Sequence, residues 1–221
     1  MKNLVMGVAK GYGWDVLEPF VTSAVKNCRS AEIVLFVDDI SDFTRERLQR
    51  CQRVTCVDIP AGYKNILVIH TRWKMYADFL EQFGANYAQI LVADTRDVIF
   101  QDDIFKSFEK YPNYLGYSTE ADDIRGSKRG DKLNYEWLES CFGKDEADSL
   151  LDERIICCGT VIGTINEMKI FCRIMWEALK DETIFGHEQA VMNYLVYKNL
   201  LPIENLIEID VEHGEIFTLG L

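Results

Sequence analysis

Apolar and polar positions along this chain fall into short blocks that switch between a strand-like and a helix-like period. Leu4 to Ala9 is an unbroken apolar run and predicts a strand. The loop Lys10-Gly11-Tyr12-Gly13 follows, and then Trp14 to Asn27 places Val16, Leu17, Phe20, Val21, Ala24 and Val25 at helical spacing. Pro19 falls in the early turns of that helix, where it costs least. Glu32 to Val37 is a second strand ending in Asp38-Asp39, followed by a helix from Asp42 to Gln52 with Asp42 as its cap. Val54 to Ile59 is a third strand, closed by Pro60-Ala61-Gly62. A long helix over Asn65 to Phe83 presents Ile66, Ile69, Trp73, Tyr76, Ala77 and Leu80 on one face and stops at Gly84.

Tyr87 to Ala93 is the next strand, and Val98 to Phe100 continues in strand form after Asp94-Thr95-Arg96-Asp97. Asp102 or Asp103 caps a short helix reaching Lys110, and Asn113 to Tyr117 forms another strand. Ser118 to Asp131 is polar and glycine-bearing and reads as a mobile loop. Two short helices over Asn134 to Phe142 and Lys144 to Asp152 precede an apolar strand, Arg154 to Gly163, with Gly159 inside it. Ile165 to Lys180 and His187 to Lys198 are helices, and Leu206 to Asp210 with Ile216 to Leu219 reads as a closing hairpin turning at His213-Gly214. Strands alternating with helices predict an α/β fold whose mixed sheet is mostly parallel, flanked by helices, with a small C-terminal hairpin.

Bulk properties narrow the function classes. The chain has 221 residues, enough for one large domain, and its 48% hydrophobic content suits a globular core. A formal net charge of −12 argues against a broad nucleic-acid surface, which needs clustered Lys and Arg. It does not argue against a small phosphorylated ligand gripped by a few local cations. Seven cysteines, an odd number without zinc-type spacing or a preceding secretory leader, predict free thiols and a cytoplasmic location. No apolar run approaches the ~20 residues of a membrane span.

Asp94 and Asp97 are the first candidates for chemistry. They close an apolar strand, and ligands of open α/β sheets sit beyond the carboxyl ends of strands. Two carboxylates there suit a hard divalent cation that also holds substrate phosphates, although aspartates are equally at home in turns. Asp38 is open between a ribose contact and a helix cap. Arg72 and Lys74, in the long helix, are open between solvated positions and a site.

In order along the chain, these features resemble nucleotide-sugar-dependent glycosyltransferases of the GT-A type, a Rossmann-like α/β fold. The resemblance rests on Leu4 to Trp14 as first strand and donor loop, and on His70-Thr71-Arg72-Trp73 with Tyr76. It rests further on Asp94-Thr95-Arg96-Asp97-Val98-Ile99-Phe100-Gln101 as the acidic motif, and on Cys158-Gly159-Thr160 to Gly163 with Glu188-Gln189 and Asn193-Tyr194. It implies a single domain over 1–221, with residues 1–101 binding the nucleotide sugar and 102–221 the acceptor; the chain ends just after the hairpin, so a longer parent protein is also expected. The family's usual motif is Asp-x-Asp, whereas here the pair is Asp94-x-x-Asp97 with Thr95 two before Asp97.

The resemblance implies Mn²⁺ or Mg²⁺ held by Asp97, Asp94 and His213. It places Val8, Lys10, Gly11, Tyr12, Asp38, Arg72, Asp94 and Thr95 on the nucleoside diphosphate sugar, with UDP-sugar as donor. Arg72 either bonds the diphosphate or braces the acidic motif. Glu188 and Gln189 act at the sugar face, which favours retention of configuration, and Glu120, Trp137, Gly159 and Thr160 meet a glycan acceptor. The alternatives are a nucleotidyltransferase that makes the sugar nucleotide, or a non-catalytic binding module for sugar nucleotides or glycans.

Overall fold

The computed structural model describes residues 1–63, 66–128, 130–209 and 214–218. The strands are β1 (Lys2–Lys10), β2 (Ala31–Asp38), β3 (Val54–Asp58), β4 (Tyr87–Ala93), β5 (Val98–Phe100), β6 (Tyr114–Asp123), β7 (Arg154–Thr164), β8 (Asn205–Ile209) and β9 (Ile216–Thr218). The α-helices are α1 (Trp14–Asn27), α2 (Asp42–Arg50), α3 (Val68–Phe83), α4 (Ile104–Phe108), α5 (Leu133–Phe142), α6 (Lys144–Asp148), α7 (Ile165–Leu179) and α8 (His187–Tyr197). Seven strands form one sheet in the order β3-β2-β1-β4-β7-β6-β8. Only β7 runs against its neighbours β4 and β6; the other adjacent pairs are parallel. The fold is therefore α/β, with a mixed, mostly parallel sheet flanked by helices.

Both faces of the sheet are covered, and the alternation along each strand sorts residues between them. Leu4 and Met6 of β1 point into a core shared with Trp73 and Tyr76 of α3 and Phe171 and Met175 of α7. Val5 and Ala9 point the other way, toward Leu17, Phe20 and Val21 of α1. A smaller cluster joins Leu138 of α5, Ala147 of α6 and Ala190 of α8. Among the described residues no helix is long and apolar enough to cross a membrane. None of the seven cysteines is in a disulfide.

Three expectations need correction. The C-terminal hairpin does not form: β8 joins the main sheet beside β6 in parallel, whereas β9 pairs antiparallel with β5, from Val98↔Thr218 to Phe100↔Ile216. The two strands satisfy their backbone groups on different distant partners rather than on each other. The polar stretch after Tyr117 is not all loop, because β6 continues to Asp123 and buries Ser118, Thr119 and Asp122. Finally, Ser41 rather than Asp42 caps α2; its hydroxyl accepts the Thr44 amide at 3.2 Å.

Candidate functional site

From β1 the chain moves outward through β2 and β3, then returns to lay β4 on the other side of β1. The carboxyl ends of β1 and β4 thus diverge in connectivity at a topological switch point, where open sheets leave a crevice. A cleft of about 240 Å³ opens there, lined by Val8, Lys10, Tyr12, Val68, Ile69, Arg72, Asp94, Thr95, Arg96, Asp97 and Phe185. Seven of the expected donor-side and metal residues therefore come together: Val8, Lys10, Tyr12, Arg72, Asp94, Thr95 and Asp97. Gly11 follows Lys10 at the cleft edge with φ +72°, a left-handed conformation glycine holds without strain. Its amide donates to the Asp38 carbonyl at 2.9 Å, which ties the loop to the end of β2. Lys10 and Asp38 form an ion pair at 3.7 Å.

The acidic motif is held by three neighbours. Asp94 donates its amide to the Gly159 carbonyl of β7 at 2.9 Å, and its carboxylate bonds the Arg72 guanidinium. Gly159 leaves room for that carboxylate: a Cβ there would lie 2.7 Å from Asp94 Oδ2. Thr95 is buried, and its hydroxyl donates to the Val8 carbonyl at 2.7 Å. Its methyl packs where a side chain on Gly7 would collide with it. So the Thr95 hydroxyl is committed to the Val8 carbonyl, while Asp94 and Asp97 both line the cleft. Burial raises the Tyr12 phenol above its ordinary value, and the Asp94 and Asp97 carboxylates add to that rise.

Arg72 is only 7% exposed, so the reading of this position as a solvated helix residue does not hold. It bonds Asp94 on one side and Glu188 on the other, and donates to the Cys158 carbonyl at 3.2 Å. Burial pulls its pKa down, but Glu188 and Asp94 more than offset this and hold it well above the ordinary arginine value. Glu188 carries the opposite load. Burial pushes its carboxyl up to about 7, against the attraction of Arg72 and helped by Asp94. Two carboxylates share one guanidinium, and burial raises the more enclosed of them, Glu188.

Glu188 thus sits beneath Arg72, outside the set of residues that line this cleft. Gln189, next on α8, donates to Asn134 Oδ1 at 2.8 Å and Glu120 Oε1 at 3.2 Å. Asn193, one turn on, clamps α8 to β7 by accepting from the Ile156 amide at 2.8 Å and donating to its carbonyl at 2.9 Å. Thr160 is fully buried, with its hydroxyl turned back to the Gly159 carbonyl at 2.8 Å, so it offers nothing to an acceptor. Trp137 is half-buried against Phe185. His213 lies outside the described residues. His70 and His187 are buried.

Sequence reasoning missed Arg96, Val68, Ile69 and Phe185 as lining residues. Arg96 stood inside the acidic motif and could have been found there. The others carry no local signal, since their role depends on where distant loops meet. The Cys157 thiol, close to the acidic residues, is pushed up to about 12 by burial first and then by Asp94, Glu120 and Asp97, which keeps it protonated.

A divalent cation fits part of this arrangement. Two carboxylates at one cleft supply the hard oxygen donors it needs, and Mg²⁺ in particular completes its shell with water and substrate phosphates. Among the described residues no group of three or more His, Cys, Asp or Glu side chains is placed to hold a metal. No protein-family model matches the chain, and no curated protein matches it significantly.

Proposed function

We propose that the chain is a metal-dependent glycosyltransferase of GT-A type, moving a sugar from a nucleoside diphosphate sugar, with UDP-sugar as donor, to a glycan hydroxyl. One observation carries the reading: Asp94, Asp97, Arg72, Lys10 and Tyr12 converge on a cleft at the switch point between β1 and β4. Open α/β sheets bind nucleotides at such points, and the mixture of carboxylates and cations there suits an anionic diphosphate bridged by a divalent cation. Asp97 and Asp94 would hold Mn²⁺ or Mg²⁺, which would supply charge neutralisation on the departing diphosphate.

The chain's own residues do the rest. Lys10 and Arg96 offer positive charge to phosphate oxygens, and Tyr12 offers a phenol that stays protonated beside two carboxylates. Arg72 fixes Asp94, and Glu188 fixes Arg72. Gln189 and Glu120 lie together on the acceptor side, where an amide and a carboxylate can meet sugar hydroxyls.

The test is turnover of a panel of nucleoside diphosphate sugars with Mn²⁺, followed by release of the nucleoside diphosphate. Turnover that persists in chelator or in Asp97→Asn refutes the metal role. Pyrophosphate exchange without sugar transfer assigns a nucleotidyltransferase, and binding without any turnover assigns a binding module.

A further inference from the structure

A second group of side chains, outside the residues that line the cleft, has the order of an acid–base relay. Glu182, in the segment joining α7 to α8, sets its Oε2 2.7 Å from His187 Nδ1, and His187 Nε2 lies 3.2 Å from Ser140 Oγ on α5. A carboxylate only accepts, so Nδ1 carries the ring proton, Nε2 presents a lone pair, and the Ser140 hydroxyl donates to it. Glu182 is itself fixed, because its carbonyl meets His70 Nδ1 at 3.1 Å and its amide donates to the Leu179 carbonyl at 3.0 Å. His187 is 3% exposed and so is held in one orientation, whereas Ser140 is open to solvent.

Other helical serines turn back on their own helix. Ser23 Oγ donates to the Phe20 carbonyl at 3.0 Å, and Ser149 Oγ to the Glu146 carbonyl at 2.6 Å. Ser140 instead aims its proton at a ring nitrogen whose far side is oriented by a carboxylate, the arrangement that activates a hydroxyl for nucleophilic attack. His187 is the first residue of the eleven-residue α8, so the positive end of that helix lies beside the hydroxyl, where negative charge develops on an attacked carbonyl oxygen. The neighbouring Cys141 thiol is pushed up to about 12 by burial first and then by Glu182, which keeps it protonated and out of competition. Apolar surface adjoins the serine. The segment that carries Glu182 and His187 also carries Ile184 and Phe185, 50% and 66% exposed, and the Phe185 ring stands edge-on to Trp137, one turn before Ser140 on α5.

We propose that Ser140 is a nucleophile toward short apolar acyl esters, with His187 as its general base and Glu182 as the residue that positions His187. Ser140 Oγ forms a bond to the acyl carbon as its proton passes to His187 Nε2. The carbon–oxygen bond to the alcohol then breaks, and the leaving oxygen takes that proton. Water completes the cycle: it gives a proton to His187, its oxygen adds to the acyl carbon, and Ser140 Oγ leaves and regains the proton. The sum is ester and water to acid and alcohol.

The full chain, in chelator so that the outcome is independent of any cation in the cleft, is treated with a serine-directed fluorophosphonate and with p-nitrophenyl acetate and butyrate. One phosphonate per chain should be found on Ser140 by peptide mass spectrometry, and p-nitrophenolate should be released. Ser140→Ala, which removes only an exposed hydroxyl, should abolish both. Ser149, equally exposed at the end of α6, should take no label. Glu182→Gln should slow labelling roughly a hundredfold or more with the thermal midpoint within a few degrees, and Glu182→Asp should recover part of the rate. The proposal is overturned if Ser140 takes no label, if Ser149 labels as fast, or if folded Glu182→Gln and His187→Gln label at the wild-type rate.

Discussion

Replacing Glu188 by glutamine should make the protein's stability less sensitive to pH, with a sign and size that follow from its environment. The groups facing Glu188 are the Arg72 guanidinium, which attracts its charge, and Asp94 beyond it, which opposes that charge; burial dominates both. The folded carboxyl is raised from 4.5 to about 7. A group whose folded pKa lies above its unfolded value contributes stability in full below the unfolded pKa, and loses that contribution as pH rises through the folded one. Here the window runs from about pH 4.5 to about pH 7. At 1.36 kcal/mol per unit, the unfolded chain gains about 3 kcal/mol across it by ionising a carboxyl that the folded state keeps protonated. Glutamine keeps the shape and an acceptor oxygen for Arg72 but cannot ionise. Urea unfolding of both proteins at a series of pH values should give similar stabilities near about pH 4.5. The difference should then move by about 3 kcal/mol in favour of Glu188→Gln by about pH 8, at unchanged m-value. The reasoning fails if the difference is flat with pH. It fails equally if it moves the other way, for then the pair with Arg72 outweighs burial and holds the carboxyl low.

Three further outcomes are expected. Asp97→Asn should keep the thermal midpoint within a few degrees while lowering Mn²⁺-dependent turnover by roughly a hundredfold or more, as read by nucleoside diphosphate release. Arg72→Met should cost about 3–5 kcal/mol above about pH 7 in denaturant melts, because two carboxylates then lose their shared cation; the cost should shrink as pH falls through about 7, where Glu188 takes up its proton. Gly186→Ala should cost on the order of 1–3 kcal/mol, since the methyl meets the Trp137 indole and the backbone holds a positive φ; loss of the near-ultraviolet signal of that tryptophan would accompany the lower midpoint.

Elements that rest on local periodicity were legible in the chain. The apolar run of β1, the helical face of α1 and the long α3 each announce themselves within one window, and together they predict the parallel half of the sheet. Partnerships between distant segments were not legible. Nothing in Ile216–Thr218 says that its ladder belongs to β5, over a hundred residues earlier, so the nearer β8 looked like its partner. The second half of β6 hid because its inward positions are Ser118, Thr119 and Asp122, whose hydrogen bonds let polar side chains be buried in a strand. Arg72 shows the same limit at the site. In sequence it lies between Thr71 and Trp73 on a helix, with Lys74 nearby, and its burial depends on Asp94 and Glu188, 22 and 116 positions away. The expected choice between gripping a diphosphate and bracing the acidic motif therefore needed the tertiary structure, and the bonds of Arg72 are those of a brace.

The irregularity in β7 explains why the acidic motif is more than a turn. Against β6, the register of β7 jumps from Tyr117↔Val161 to Ser118↔Cys157, so Cys158-Gly159-Thr160 leaves that ladder. On the other side the strand stays with β4, through Ala93↔Thr160 and the Asp94 amide on the Gly159 carbonyl. The excursion aims the Cys158 carbonyl at Arg72 and sets the bare backbone of Gly159 beside the Asp94 carboxylate. Bulges of this kind commonly re-aim groups next to binding sites. An aspartate that merely closed a turn would bond its own following amides. Asp94 is instead gripped by a guanidinium from α3 and a backbone carbonyl from β7, which costs it freedom and fixes its direction. On the proposed reading, Asp94→Asn therefore probes the Arg72–Glu188 scaffold as much as the metal, and Asp97→Asn, which leaves the bonds of Arg72 in place, is the sharper probe of metal dependence.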